Sequence, residues 1–517
     1  MTKIESKEFN YNYLYMFKNP IRFFINIHPF KSLLINLNNM TIDDLCQTKP
    51  MSFRIRKYYG ETDSRTLDFP NLVNFFVLNN KLENGTTYPN IQISLESRMV
   101  VNLDTGDFSA TQYKQCIERD MLKLVDYEIL LKMDIKSFYD TIYTHNLEEK
   151  LRLPFKDSYI TNQKDGKTAG LIKGPFTSLF LSDSLLKLIV KDFVSMIKKN
   201  NITAKVEFFS DDIYVFINKV DVDRVKQLFY EVLAIYDLET NTQKYKEYDY
   251  LSYSKENIVD KYWNIIVRDQ KNYESSTEKK EYHFNFINQL IYRKSKLNNK
   301  KLEAIFINGF FKSTFFVDLD TKKYTFDTTD LHKVLFLYRE HPESILYTIH
   351  KFAHTENFKK YAKMHLNRMF VNSLNDSFKE EQTYYFYALQ FVYGLEFITP
   401  ELLSKIIQSD NQILISYLIG YELYDNEIDR LLSNEEDHWF LNYHIILRKF
   451  IKDNKNVDDL VLNYLIPKPG GNQKNQKRKT YIDFFSNAID LKLPMINLKP
   501  FGTIKKYLQV KKKDIKK

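Results

Sequence analysis

KVEFFSDDIYVFI (205–217) places two β-rich runs on either side of Ser210, Asp211 and Asp212, the pattern of a hairpin with its acids at the turn. Upstream, EILLKMD (128–134) reads as a strand that closes on an acid, Asp134. Between and around these runs, from 121 to about 255, short apolar stretches alternate with helical patterns, as in an α/β or α+β domain.

Two carboxylates on neighbouring strand ends are a recognisable chemical arrangement. Hard divalent cations take carboxylate oxygens, and a pair of Mg²⁺ ions about 4 Å apart is bridged by such acids in nucleotide-joining enzymes. Taken alone, the acids carry little weight. A turn with two aspartates is commonplace, because Asp hydrogen-bonds its own backbone there. The surrounding residues decide the matter.

KMDIKSFYDTIYTH (132–145), TAGLIKGPFTSLFLSD (168–183), FFSDDIYVF (208–216) and NTQK (241–244) occur in that order. Together they resemble the palm motifs of bacterial reverse transcriptases, and within these the abortive-infection (Abi) group that defends against phage. The first resembles the family's Asp-Ile with an aromatic pair, and the second its Thr-x-Gly loop ending in Gly-Pro-x-Thr-Ser. The third resembles its aromatic-x-Asp-Asp turn, and the last its Asn-x-x-Lys. The motifs cover about a quarter of the chain. Ile172-Lys173 departs from the family's Pro-Ile or Pro-Gln, Ser210 from its Ala, Val or Met, and NLEEKL directly after His145 lacks the family's Trp. None of these departures removes an acid.

The resemblance implies roles residue by residue. Asp134 and Asp211 hold two Mg²⁺ ions (Mn²⁺ being the alternative), with Asp212 adjacent and the Ile135 carbonyl an extra ligand. Tyr139, the fifth residue after Asp134, excludes a ribose 2′-hydroxyl by steric clash, and Phe138 beside it is either part of that pocket or core. Lys173, Gly174 and Ser178 line the nucleotide, glycine permitting close backbone approach. Lys244 protonates the departing pyrophosphate or is a surface lysine. Lys57 and Arg65, in KYYGETDSRTLDFP (57–70), neutralise the triphosphate, Arg65 bidentately. His145 reads as structural.

The resemblance also implies a chain fold: α+β, with a reverse-transcriptase fingers region (1–120), a palm (121–255) and an all-α, HEAT-like helical-repeat domain (256–517). The implied activity is polymerisation of dNTPs without a template, primed by a tyrosine hydroxyl, in a homo-oligomer whose single-stranded DNA product stays attached. Tyr11, Tyr13, Tyr15, Tyr58 and Tyr59 are candidate primers, and 37 tyrosines in all leave the choice open. Two other readings stand beside it: an RNA-templated enzyme of the retron or group II intron kind, and a non-catalytic nucleic-acid-binding scaffold. The intact acids speak against the last.

Beyond about 285 the pattern becomes long amphipathic helices. Thr399-Pro400-Glu401 is a helix start, with a cap, a first-turn proline and an acid at the positive dipole end. Ser409 or Asp410 is expected to cap the next helix. PKPGGNQKNQKRK (467–479) reads as a flexible basic loop, and the terminal lysines 511–513, 516 and 517 as a frayed tail. His354, His365 and His444 are too scattered for a metal site, and Trp263 and Trp439 read as packing residues.

Composition sets the bounds. With 517 residues, more than one core is expected. A net charge of +9, from 75 basic and 66 acidic side chains, permits a polyanionic partner without demanding one. Two cysteines exclude a disulfide framework and a cysteine-based zinc site. The N-terminus has no apolar signal region, and no run approaches the roughly 18 apolar residues of a membrane span, so the expected location is cytoplasmic.

Overall fold

The structure is a computed structural model that describes residues 23–37, 40–58, 63–84, 98, 101–102, 107–108, 110–275, 282–297, 299–453, 456–467 and 475–516. The chain is α+β and mostly helical, with small sheets. It divides into two compact units built from interleaved segments: residues 1–52, 67–256 and 418–496 in the first, and 53–66, 257–417 and 497–517 in the second. The helical half of the sequence is therefore shared between the two units.

In the first unit, the strand-forming runs make one antiparallel sheet. Strands β1 (Ile129–Asp134), β2 (Lys205–Phe209), β3 (Asp212–Ile217) and β4 (Lys246–Tyr248) lie in the order β2-β3-β1-β4. The β2–β3 hairpin turns at Ser210, whose φ of 54° is left-handed, a conformation a short polar residue tolerates in a turn. Register pairs Leu130 with Phe216, Lys132 with Tyr214 and Asp134 with Asp212.

Opposed residues share a face, and successive residues alternate. One face therefore presents Leu131, Met133, Val206, Phe208, Ile213, Val215 and Ile217, all at most 4% exposed. On the same unit, helices α2 (Phe176–Lys199) and α3 (Val222–Ala234) pack on each other through Phe193 and Phe229, whose ring centroids are 5.2 Å apart. The opposite face is divided along its length. Leu130, Phe216 and Tyr248 pack under Leu124 of helix α1 (Ala110–Asp126) and under Tyr253. Lys132, Asp134, Asp212 and Tyr214 continue that face beyond the apolar cluster. Covering one end with a helix and leaving the other polar is what gives the acids their position.

The same unit ties distant segments together. Tyr481 is fully buried; its hydroxyl accepts from the Cys46 N–H at 3.0 Å and meets the Asn74 side chain. Phe69 stacks on Trp439, with centroids 5.7 Å apart and planes 4° apart, so Trp439 is a packing residue.

The second unit contains helices in which neighbours and next-but-one neighbours touch: Thr328–Glu340 against Glu356–Leu374, Ser344–Phe352 against Lys379–Tyr393, and the last two of each pair against one another. Its core is aromatic, with Phe284, Phe286, Phe310, Phe316 and Phe352 in mutual ring contact. Trp263 donates to the Phe306 carbonyl at 3.0 Å and fills the space over Gly309. Thr399 caps Pro400–Gln408 by accepting from the Leu402 N–H at 3.2 Å.

Three local expectations are corrected. The helix Gln412–Gly420 is capped by Asn411, whose Oδ1 accepts from the Leu414 N–H at 3.2 Å; Ser409 instead donates to Ile406, and Asp410 takes a left-handed φ of 52°. Residues 475–479 begin the helix Asn475–Asp490, while 468–474 lie outside the described residues. The terminal lysines up to Lys516 belong to the helix Pro500–Lys516 rather than to a frayed tail.

Candidate active site

The register that opposes Asp134 to Asp212 puts three acids at one end of the sheet, because Asp211 occupies the turn directly before Asp212. The Ile135 N–H, just past the strand end, donates to the Asp211 carbonyl at 3.4 Å, and the residue itself is buried and bridged to Thr240. Asp134 is 3% exposed. Burial raises its pKa; the hydrogen bond from Lys244 opposes this, and the charges of Asp211 and Asp212 add to it. A buried acid crowded by two others is an arrangement that costs stability and is expected at working sites.

Positive groups compensate. Lys244 Nζ lies 2.9 Å from Asp134 Oδ2, and Asn241 Nδ2 donates to the same oxygen at 3.1 Å. The Asn241 N–H donates to the Asp134 carbonyl at 2.8 Å, which fixes the NTQK segment against the strand end. Lys132 Nζ lies 2.8 Å from Asp212 Oδ2. Lys132 and Asn241 received no role from sequence reasoning. The signal for Lys132 was present: it stands two residues before Asp134, so on a strand it must share that acid's face.

These residues are of the kind a divalent cation takes. The donors are hard carboxylate oxygens, and each opposed acid already attracts a cationic side chain. Among the described residues, no group of three or more His, Cys, Asp or Glu is gathered to hold a metal ion. Lys244 Nζ lies within 3.2 Å of both Asp134 oxygens, whereas Lys132 Nζ meets one oxygen of Asp212, so a cation at Asp134 would displace Lys244.

The loop after the first motif packs beside Tyr139. Leu171 N–H donates to the Tyr139 carbonyl at 2.7 Å, and Gly170 N–H to the Ile142 carbonyl at 2.8 Å. Lys164 Nζ holds the carbonyls of Ala169 and Gly170. Gly170 has φ +84°, and a Cβ there would lie 3.0 Å from the Asp140 carbonyl oxygen and 3.1 Å from that of Tyr139. Backbone atoms cannot swing aside. Gly170→Ala is expected to lower the unfolding free energy by about 2 kcal/mol, measured by chemical denaturation; an unchanged midpoint counts against this packing.

The remaining nucleotide-binding candidates are placed as follows. Phe138 is core, 3% exposed and edge-on to Tyr139. Lys173 Nζ pairs with Asp140 at 2.7 Å, while its carbonyl accepts from the Asp68 N–H, also at 2.7 Å. Gly174 has φ +131°, and a Cβ there would meet the Asp68 carbonyl at 3.2 Å. Ser178 is buried in the first turn of α2. Lys57 and Arg65 belong to the second unit, on the hairpin of Met51–Arg56 with Ser64–Phe69; Lys57 faces Asp63 at 3.4 Å and Arg65 is exposed. Tyr58 is half-buried, and Tyr11, Tyr13, Tyr15 and Tyr59 lie outside the described residues. His145 Nδ1 lies 2.8 Å from Asp157 Oδ2. His444 is buried, which lowers its pKa to about 4.

No family model matches the chain, and no curated protein matches it. Among solved structures it is similar to telomerase from Candida albicans in complex with a TWJ fragment of telomeric RNA. That match has 13% identity and a TM-score of 0.28 over 69% of this chain and 70% of that one. It is also similar to apo telomerase from Candida tropicalis, at 14% identity and a TM-score of 0.25, over 66% of this chain and 57% of that one. Scores of this size do not establish a shared fold.

Proposed function

We propose that this chain is a reverse-transcriptase-type polymerase that joins deoxynucleotides at the Asp134, Asp211 and Asp212 cluster. The supporting observation is the register of β1 on β3, which opposes Asp134 to Asp212 beside the turn acid and sets Lys244 on Asp134. The ordered motifs add the finer reading: an abortive-infection type of enzyme that works without a template, primes on its own tyrosine and acts as a homo-oligomer in defence against phage. Among the described residues, no helix is long and apolar enough to cross a membrane.

Mg²⁺ at the three acids and the Ile135 carbonyl would supply Lewis-acid activation of the attacking hydroxyl and charge for the triphosphate. The protein residues do the rest. Asp134 and Asp211, with Asp212 beside them, would hold the ions at the sheet end. Lys244, released from Asp134, carries a proton to the departing pyrophosphate oxygen. Tyr139 forms the wall against a 2′-hydroxyl, and Gly174 admits the nucleotide close to the backbone. Lys57 and Arg65 are assigned to the triphosphate on the motif resemblance alone.

The test is incubation of purified protein with Mg²⁺ and labelled dNTPs, with and without RNA, resolved on a denaturing gel before and after protease. Label that migrates with protein in the absence of RNA supports the full reading. Free cDNA that appears only with RNA keeps the polymerase and replaces the rest by an RNA-templated enzyme. Absence of incorporation under every condition leaves a nucleic-acid-binding scaffold. Within the polymerase reading, Tyr139→Ala is expected to raise rNTP use relative to dNTP at least tenfold, read as the ratio of the two kcat/KM values; unchanged selectivity removes the wall assignment.

A further inference from the structure

Tyr139 is held at both ends. Its backbone is fixed by the bond from Leu171 and by the close seat of Gly170, as described above. Its side chain then has only two rotatable bonds left. At the far end of the ring, the hydroxyl lies 3.0 Å from Ser182 Oγ. Ser182 is 2% exposed on α2, within one helical turn of Ser178, and its Oγ is also 2.9 Å from the Leu179 carbonyl oxygen.

That carbonyl only accepts, so a serine proton given to it leaves Oγ to accept from the phenol; a proton given to the phenol leaves the carbonyl to its helical partner. Either way the two hydroxyls share one hydrogen bond in a buried setting. The nearby Leu181, Leu185 and Leu186 are buried apolar residues, and alanine at 182 would continue that surface without a hydroxyl. A buried polar group facing the tip of a partly exposed ring has a different use. It stops the ring from rotating away from whatever is placed against it.

We propose that Ser182 is a positioning residue that locks the Tyr139 ring in place, so that discrimination between deoxy- and ribonucleotides depends on this hydroxyl pair. A steric wall selects only as well as it resists displacement. A ring held by its backbone and by packing against neighbours such as Phe138 yields to a 2′-hydroxyl by a small χ1 change, whereas a ring also pinned at its tip must first break a hydrogen bond. The inference rests on the polymerase reading above.

The experiment measures kcat/KM for a dNTP and the matching rNTP in wild type, Ser182→Ala, Ser182→Thr, Tyr139→Phe and the Ser182→Ala/Tyr139→Phe double variant. Loss of one hydrogen bond corresponds to about a five-fold fall in the dNTP/rNTP ratio. Ser182→Ala and Tyr139→Phe are each expected to show it, and the double variant to show no more than either single one. Ser182→Thr, which keeps the hydroxyl, is expected to retain the wild-type ratio. A Ser182→Ala protein that loses dNTP and rNTP use in equal measure, or that keeps its ratio while Tyr139→Ala loses it, overturns the positioning role and leaves the polymerase intact. A wild-type protein that incorporates neither nucleotide overturns both. Thermal midpoints of the variants separate a folding defect from a change in selectivity.

Discussion

Asp134→Asn is expected to reduce nucleotide incorporation by about a thousandfold or more while leaving the thermal midpoint unchanged or raised. The two halves of this result have one cause. Asp134 is buried, and burial together with the charges of Asp211 and Asp212 raises its pKa above the ordinary carboxylate value. A group whose folded pKa is raised binds its proton more tightly in the folded state, so keeping it ionised at neutral pH costs stability, and that cost is relieved as pH falls. Asparagine has nearly the same shape and no charge to desolvate. The variant loses the ion pair to Lys244, but that lysine side chain is 55% exposed, and pairs of that kind contribute about 0–1 kcal/mol. Removing a carboxylate that works on a divalent cation, by contrast, forfeits several kcal/mol of transition-state stabilisation. The measurement is incorporation of labelled dNTP beside a melting curve. Activity within tenfold of wild type removes Asp134 from the chemistry; lost activity with a collapsed midpoint makes it a structural residue.

What the sequence discloses of the fold depends on the range of the interaction. β1 and the β2–β3 hairpin were legible because alternation and a turn acid are local signals, and the start at Thr399-Pro400 because capping spans four residues. The cap of the next helix was not legible: Asn411, and neither Ser409 nor Asp410, accepts from the Leu414 N–H. Ser409, Asp410 and Asn411 are all competent caps, and the left-handed turn at Asp410 decides for Asn411. The candidate acids were legible as motif residues, but what neutralises them was not assigned. The strand period puts Lys132 on the face of Asp134, but its pairing with Asp212 follows only from the register of β3, and that of Asn241 only from its segment bonding back to the strand end. Contacts such as Tyr481 with Cys46 and Asn74 leave no trace in any window of sequence. The return of 418–496 to the first unit is of the same kind. Each depends on closure of the whole unit.

No local pattern marks Arg98, and Arg98→Met is expected to destabilise the first unit by about 3 kcal/mol or more at neutral pH. Its guanidinium forks onto Asp120 of α1 at 2.7 and 2.8 Å, bonds Glu207 of β2 at 2.8 Å, and lies 3.8 Å from the centre of the Tyr214 ring. Glu207 opposes Tyr214 in register, so this network sits on the same sheet face as Lys132, Asp134 and Asp212. The side chains of Arg98, Asp120 and Glu207 are 7%, 0% and 8% exposed. A buried ion pair is not in itself strongly stabilising, because desolvation offsets attraction. Deleting the cation alone is another matter: among the described residues, it leaves the two buried carboxylates to the compensation of Lys123 and the Tyr253 hydroxyl. The pH dependence separates that cause from lost packing. In the native protein burial raises the Asp120 pKa and also acts to raise that of Glu207, but Arg98 and Lys123 outweigh it at Glu207 and hold that carboxyl low. Glu207 therefore contributes stability that is lost only as pH falls below the ordinary carboxylate range. Without Arg98, desolvation is expected to prevail at both acids: the pKa of Asp120, already raised, rises further, and that of Glu207 moves above its unfolded value. The folded variant then binds more protons than the unfolded chain, so its stability rises as pH falls through those values. The deficit relative to wild type is expected to be largest at about pH 7.5 and to shrink by about pH 5, as read from urea midpoints. A deficit that stays constant over that interval would mean that Arg98 acts through its packing on Tyr214 rather than through its charge.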